Sequence, residues 1–152
     1  MGNPTATRGN FIFGIVFVAA FGAMVLWRQF GSPGGDHAGT PAAFAEGLTY
    51  EAASERAAET SRPVLVYATA SWCGPCRMFK ADTLSRPEII AAVTEGFEPV
   101  YLDIDQHGDI ARSLRVTAVP TVVVLRDGEQ VDRATGYMDA REFGEFLKRQ
   151  QR

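Results

Sequence analysis

Residues 64–76 read Val-Leu-Val-Tyr-Ala-Thr-Ala-Ser-Trp-Cys-Gly-Pro-Cys, and the change of period inside this stretch decides the fold. Val64 to Ala68 is a short, continuous apolar run, the pattern of a strand covered on both faces. A helix is predicted to start around Cys73, directly after it. Two thiols separated by two residues at a helix start lie within disulfide reach, and the unpaired amide N–H groups together with the helix dipole favour a thiolate on the first. Cys73 is therefore the predicted nucleophile. Cys76, one turn further in, is predicted to be more buried and placed to attack a mixed disulfide between Cys73 and a partner, which makes it the resolving thiol. These are the only cysteines in the chain.

Upstream of the strand, Tyr50 to Ser61 is rich in Ala and Glu, with Tyr50, Ala53 and Ala57 near one face, and reads as a helix that ends before Pro63. Downstream, Ser85-Arg86-Pro87-Glu88 has the form of a capping box with proline in the first turn, opening a helix that carries Ile89, Ile90 and Val93. Phe97 to Ile104 reads as a second buried strand, and a short helix follows from about Asp109 to Leu114. Val122 to Leu125 and Gln130 to Thr135 flank Asp127-Gly128, a hairpin signal because both turn positions tolerate positive φ. Asp139 and Glu142 have capping-box spacing before a closing helix with Phe143, Phe146 and Leu147 on one face. A parallel βαβ half followed by a ββα half predicts an α/β domain, residues 48–152, whose central mixed sheet carries helices on both faces.

The first third of the chain is of another kind. Residues 1–10 form an N-terminal tail, and Phe11 to Trp27 contains no charged residue before Arg28. Extended to Phe30, residues 11–30 give a helix of about 20 residues and roughly 30 Å, enough to cross a hydrocarbon core. Trp27, Arg28 and Phe30 suit a headgroup region. A cleaved signal would need a small-x-small site soon after the run, and the first candidate, Ala43-Phe44-Ala45, lies far downstream, so the run is read as a transmembrane anchor. With the N-terminus inside, everything after Phe30 is extracytoplasmic. Residues 31–47, dense in Gly, Pro and Ala, read as a flexible linker with a reach of about 20 to 25 Å.

Composition narrows the functional classes. The 152 residues are 46% hydrophobic and 22% charged with a formal net charge of −3, which excludes disorder and a disulfide-stapled miniprotein. No basic run is present, so a nucleic-acid partner is not expected. A zinc half-site would need further soft ligands, and only His37, in the linker, and His107 are available, so no metal is expected. A static disulfide is a weaker reading, because so short a loop constrains the unfolded chain little.

The sequence Trp72-Cys73-Gly74-Pro75-Cys76 after an apolar strand, with Val119-Pro120-Thr121 well beyond it, a hairpin and then Gly136, resembles a thioredoxin. The resemblance covers residues 48–152. The run Cys76-Arg77-Met78-Phe79-Lys80 into Ser85-Arg86-Pro87-Glu88 is more similar to the soluble C-terminal domains of transmembrane thiol:disulfide interchange proteins than to small cytoplasmic thioredoxins. It implies the thioredoxin fold, catalytic Cys73 and Cys76 with Gly74 and Pro75 between them, and a cis-proline at Pro120 facing the disulfide. It also implies a substrate groove bordered by Trp72, Val119, Pro120 and Gly136.

The activity so implied is dithiol–disulfide exchange on protein disulfides, without a cofactor. Gly-Pro between the cysteines is similar to the reducing members, with potentials around −270 mV rather than near −120 mV. The expected protein is thus a membrane-tethered reductase drawing electrons from a transmembrane donor. An oxidase or isomerase, or a redox-sensitive binding module without turnover, are its rivals. One departure stands out. Tyr67 and Tyr101 occupy the positions where cytoplasmic thioredoxins hold a buried aspartate and its lysine partner, so deprotonation of Cys76 falls to water, a tyrosine hydroxyl, Asp82 or Asp103.

Overall fold

The computed structural model describes residues 39–151. The tail at 1–10, the anchor at 11–30 and the linker up to residue 38 lie outside the described residues; among those described, no helix is long and apolar enough to cross a membrane. The elements follow the predicted order: α1 (Tyr50–Thr60), β1 (Val64–Thr69), α2 (Gly74–Asp82), α3 (Pro87–Gly96), β2 (Glu98–Asp103), α4 (Gly108–Ser113), β3 (Thr121–Arg126), β4 (Glu129–Thr135) and α5 (Ala140–Gln150).

The sheet runs β2-β1-β3-β4, with β1 and β2 parallel and the other two pairings antiparallel. Period-two alternation divides β1 between two cores. Leu65 and Tyr67 face Phe79 of α2, Ile89 and Val93 of α3, and Phe143, Phe146 and Leu147 of α5. Val64, Val66 and Ala68 face Ala53 of α1 together with Ala111 and Leu114 at α4. Both faces are therefore covered, which is why all six residues of β1 are buried.

Local chemistry sets most boundaries. Thr49 caps α1 through the Ala52 N–H, and Ser61 leaves that helix with φ 58° ahead of Pro63. Asp127 and Gly128 take φ 54° and 79°, the left-handed pair that a tight hairpin requires. Asp139 and Glu142 close the full capping box at α5.

Two expectations need correction. Ser85 is no capping residue: its hydroxyl donates to the Ala81 carbonyl at the end of α2, and α3 begins at Pro87 from Arg86 without a side-chain cap. The linker expected through residue 47 stops earlier, because Ala42–Phe44 forms a 3₁₀ turn that buries Ala43 and Phe44. The Phe44 ring lies 5.8 Å from Tyr67 and 6.4 Å from Tyr101. One aromatic ring removed from water outweighs the flexibility of its small neighbours.

Candidate active site

Strand direction gathers the chemistry at one end of the sheet. Because β1, β2 and β4 run parallel to one another and β3 runs against them, the carboxyl ends of three strands and the amino end of β3 share an edge. The Cys73 loop follows β1, Asp105 follows β2, Val119-Pro120 precedes β3 and Gly136 follows β4. Four segments distant in sequence meet there.

Cys73 and Cys76 form a disulfide with a Cα–Cα separation of 5.3 Å. Cys73 is the N-cap of α2, its sulfur accepting the Cys76 N–H at 3.1 Å, and its own N–H donates to the Ala70 carbonyl at 3.2 Å. Pro75 sits in the first turn, where a missing N–H costs nothing. A sulfur that already accepts a backbone N–H at a helix start is electrostatically prepared to carry negative charge once reduced. Arg77 lies alongside, its guanidinium donating to the Ser71 carbonyl at 3.3 Å.

Access is narrow. Cys73 is 3% exposed and Cys76 fully buried, with Ile104 and Val119 packed against them. Cys76 is the more buried of the two by a small margin, and the tip is less open than the sequence suggests. Trp72 projects beside it, 64% exposed, with its indole N–H donating to Asp105 at 2.9 Å. The Val119-Pro120 peptide is cis, and the Pro120 carbonyl accepts the Gly136 N–H at 2.8 Å. Gly136 has φ 100°, where a side chain would be strained. All six residues singled out around the disulfide, Trp72, Cys73, Cys76, Val119, Pro120 and Gly136, thus belong to this end of the sheet.

Two rim residues escaped the sequence reading. Asp105 holds Trp72 across a separation of 33 residues, which no local pattern encodes. Tyr137 is 41% exposed, and its ring stands edge-on to Phe79 at 6.2 Å. Its one signal was its place next to Gly136. Trp72 is tied to the β2 side and Tyr137 follows β4, at the same end of the sheet as the disulfide.

Beneath the disulfide, Tyr67 is buried and its hydroxyl donates to the Cys76 carbonyl at 3.3 Å. Of the alternatives for the Cys76 proton, this hydroxyl is the group in contact, and it meets the carbonyl rather than the sulfur. Asp82 is exposed at the far end of α2, and Asp103 accepts from the Asp105 N–H and Gln106 in its own turn. Tyr101 packs edge-on to Tyr67 at 5.8 Å and takes Lys80 at its hydroxyl, 3.4 Å away.

Burial pushes the Tyr67 hydroxyl from its ordinary 10 up to about 12, tempered by the nearby Thr69 hydroxyl. Below about 10 the folded and unfolded chains both keep this proton. Between about 10 and 12 only the unfolded chain releases it, so stability falls as pH rises, by roughly 2 to 3 kcal/mol in full. Tyr67→Phe should abolish that component: denaturant midpoints of variant and parent, compared from pH 9 to 12, converge with rising pH if the assignment holds and stay parallel if it fails.

A family model described as a thioredoxin-like domain matches residues 50–151. Bovine (Bos taurus) mitochondrial thioredoxin is 35% identical over 96 residues, 62% of this chain and 55% of that protein. A TPR repeat-containing thioredoxin of Arabidopsis thaliana is 38% identical over 88 residues, 57% of this chain and 22% of the relative, so the chain spans about half or less of either curated relative. Among solved structures, a thioredoxin from Thermus thermophilus has a TM-score of 0.61 at 28% identity, covering 67% of this chain and 83% of its own. The oxidised C-terminal domain of DsbD from Neisseria meningitidis has a TM-score of 0.57 at 26% identity, covering 66% and 90%.

Proposed function

Because this chain belongs to the thioredoxin-like domain family, we propose that it is a thiol:disulfide oxidoreductase that reduces protein disulfides on the extracytoplasmic side of a membrane to which residues 11–30 tether it. The observation that carries the reading is the Cys73–Cys76 disulfide at the start of α2, with Cys73 3% exposed at the helix start and Cys76 fully buried one turn in. In the reduced state the Cys73 thiolate attacks a sulfur of the substrate disulfide. A Cys73–substrate bond forms, the substrate bond breaks, and its electron pair leaves on the departing thiolate, which takes a proton from solvent. Cys76 then attacks Cys73, restoring the internal disulfide and releasing the second substrate thiol.

Trp72, Val119, Pro120 and Gly136, with Tyr137 beside them, border the groove for an extended substrate segment. The uncharged run Phe11 to Trp27 supports the tether, and with the domain held on the far side of a membrane its electrons would come from a transmembrane donor. Gly-Pro between the cysteines supports reduction over oxidation.

The full chain in detergent, equilibrated with glutathione redox buffers, should give a potential below about −200 mV and, with dithiothreitol as donor, should reduce insulin. A potential above that value assigns oxidation or isomerisation instead, and intact insulin removes exchange altogether.

A further inference from the structure

On the α1 and α4 side of the sheet, toward the β3–β4 turn and away from the disulfide edge, a cavity of about 550 Å³ opens between the start of α1, the end of α4 and the hairpin. Tyr50, Arg115, Leu125, Gln130 and Arg133 are among the residues lining it, and none of the lining residues is acidic. The chain as a whole has a formal net charge of −3, so two arginines in one cavity without a carboxylate are a local exception.

Two departures from regular backbone converge on this cavity. The first is at the end of α4, which closes in a Schellman turn: the Arg115 N–H donates to the Arg112 carbonyl at 2.9 Å and the Val116 N–H to the Ala111 carbonyl at 2.8 Å. The left-handed position of such a turn usually falls to glycine, and here an arginine takes it with φ 53°. The second is in β4, where Val124 pairs with Asp132 but Leu125 with Gln130, leaving Val131 as a bulge. In a regular strand Gln130 and Arg133, three residues apart, would lie on opposite faces. The bulge puts both on the face of their partners Leu125 and Val123, which belong to the core under α1 and α4. Backbone strain and bulges of this kind are retained where they aim a functional group.

Arg133 is held by three acceptors. Its guanidinium donates to the Arg115 carbonyl at 2.7 Å, to the Gln130 side-chain oxygen at 2.7 Å and to the Leu114 carbonyl. All three are neutral oxygens, so its charge meets no counter-ion. Arg115 is exposed, and among the described residues its guanidinium makes no hydrogen bond or ion pair, nor does the Gln130 amide nitrogen donate to anything.

We propose that this cavity binds a phosphate monoester. The Arg115 guanidinium and the Gln130 amide donate to the phosphate oxygens, Arg133 adds a second fixed positive charge, and Tyr50 and Leu125 wall the organic part. A carboxylate would balance one guanidinium, whereas a phosphate monoester carries about −1.5 to −2 charges near pH 7 and balances both. A soluble phosphate ester and an acidic phospholipid headgroup present the same group. The site lies apart from the disulfide and does not depend on the exchange reaction.

Calorimetric titration of the full chain in phosphatidylcholine nanodiscs with glycerol 3-phosphate should give saturable binding, and glycerol should give none. Arg115→Gly removes the guanidinium where glycine holds the backbone without strain, so its denaturant midpoint should equal or exceed that of the parent while affinity for glycerol 3-phosphate falls about tenfold or more. Arg115→Asn, which also tolerates the left-handed conformation, should repeat the loss, and Arg115→Lys should keep most of the binding. In nanodiscs that include phosphatidic acid, disappearance of the glycerol 3-phosphate isotherm assigns the site to a lipid headgroup, and an unchanged isotherm assigns it to a soluble ester. No saturable binding by the parent, equal affinity in parent and Arg115→Gly, or acetate bound as tightly as glycerol 3-phosphate overturns the proposal.

Discussion

Replacing Cys73 by serine should abolish insulin reduction, and replacing Cys76 by serine should abolish turnover while leaving a covalent adduct on Cys73. A loss of about a thousandfold or more is expected for each, the scale on which removal of an essential nucleophile acts. The difference between the two variants is the informative part, and it follows from exposure. Cys76 is completely buried, so in Cys73→Ser the remaining sulfur cannot reach a disulfide carried by a folded protein. In Cys76→Ser the sulfur at the helix start still attacks, but nothing stands behind it to release the product. Mixed disulfides should therefore build up in the Cys76→Ser variant alone and disappear with dithiothreitol. Non-reducing gels of cells expressing each full-length variant make the measurement. Adducts carried by Cys73→Ser would reverse the assignment of the two sulfurs. Partners retained after loss of both cysteines would point to a binding module instead.

What could be read from the sequence is what neighbouring residues decide among themselves. The run Val64 to Ala68 announced a strand buried on both faces, Asp127-Gly128 its hairpin, and Asp139 with Glu142 a capping box, and each is present. The disulfide and the ranking of its two sulfurs were equally local, because a helix start exposes its first residue more than its third. Failures came where a local pattern met competition from elsewhere. Ser85 has the spacing of a cap, yet the Ala81 carbonyl lies one turn behind it and takes the hydroxyl first. Phe44 looked like an isolated aromatic in a Gly-rich and Pro-rich stretch until Tyr67 and Tyr101 supplied a surface for its ring. Asp105 and Tyr137 carried no signal for a similar reason. Their meaning lies in an indole and a ring that only the folded chain brings near.

The second large effect lies at the other end of the sheet. Glu98 opens β2 and is completely buried, which makes it the one buried carboxylate among the described residues. Its Oε1 accepts from Arg62 at 2.5 Å and from the Thr60 hydroxyl at 3.0 Å, whereas Oε2 lies 3.1 Å from Arg56 without a hydrogen bond. Arg62 also donates to the carbonyls of Thr94 and Glu95 at the end of α3. One guanidinium thus ties the α1–β1 turn to α3 and β2. Arg62→Ala should destabilise the domain by about 3 kcal/mol, toward the lower end of what a stranded buried charge costs, because Arg56 remains within reach of one oxygen. Adding Glu98→Leu to that variant should recover most of the loss, since an apolar side chain of similar volume needs no counter-charge. Equilibrium denaturant unfolding of the three proteins supplies the numbers, and a loss below about 1 kcal/mol in Arg62→Ala would refute the argument. Both variants should retain their thiol reactivity while folded, because this network and the disulfide sit at opposite ends of β1.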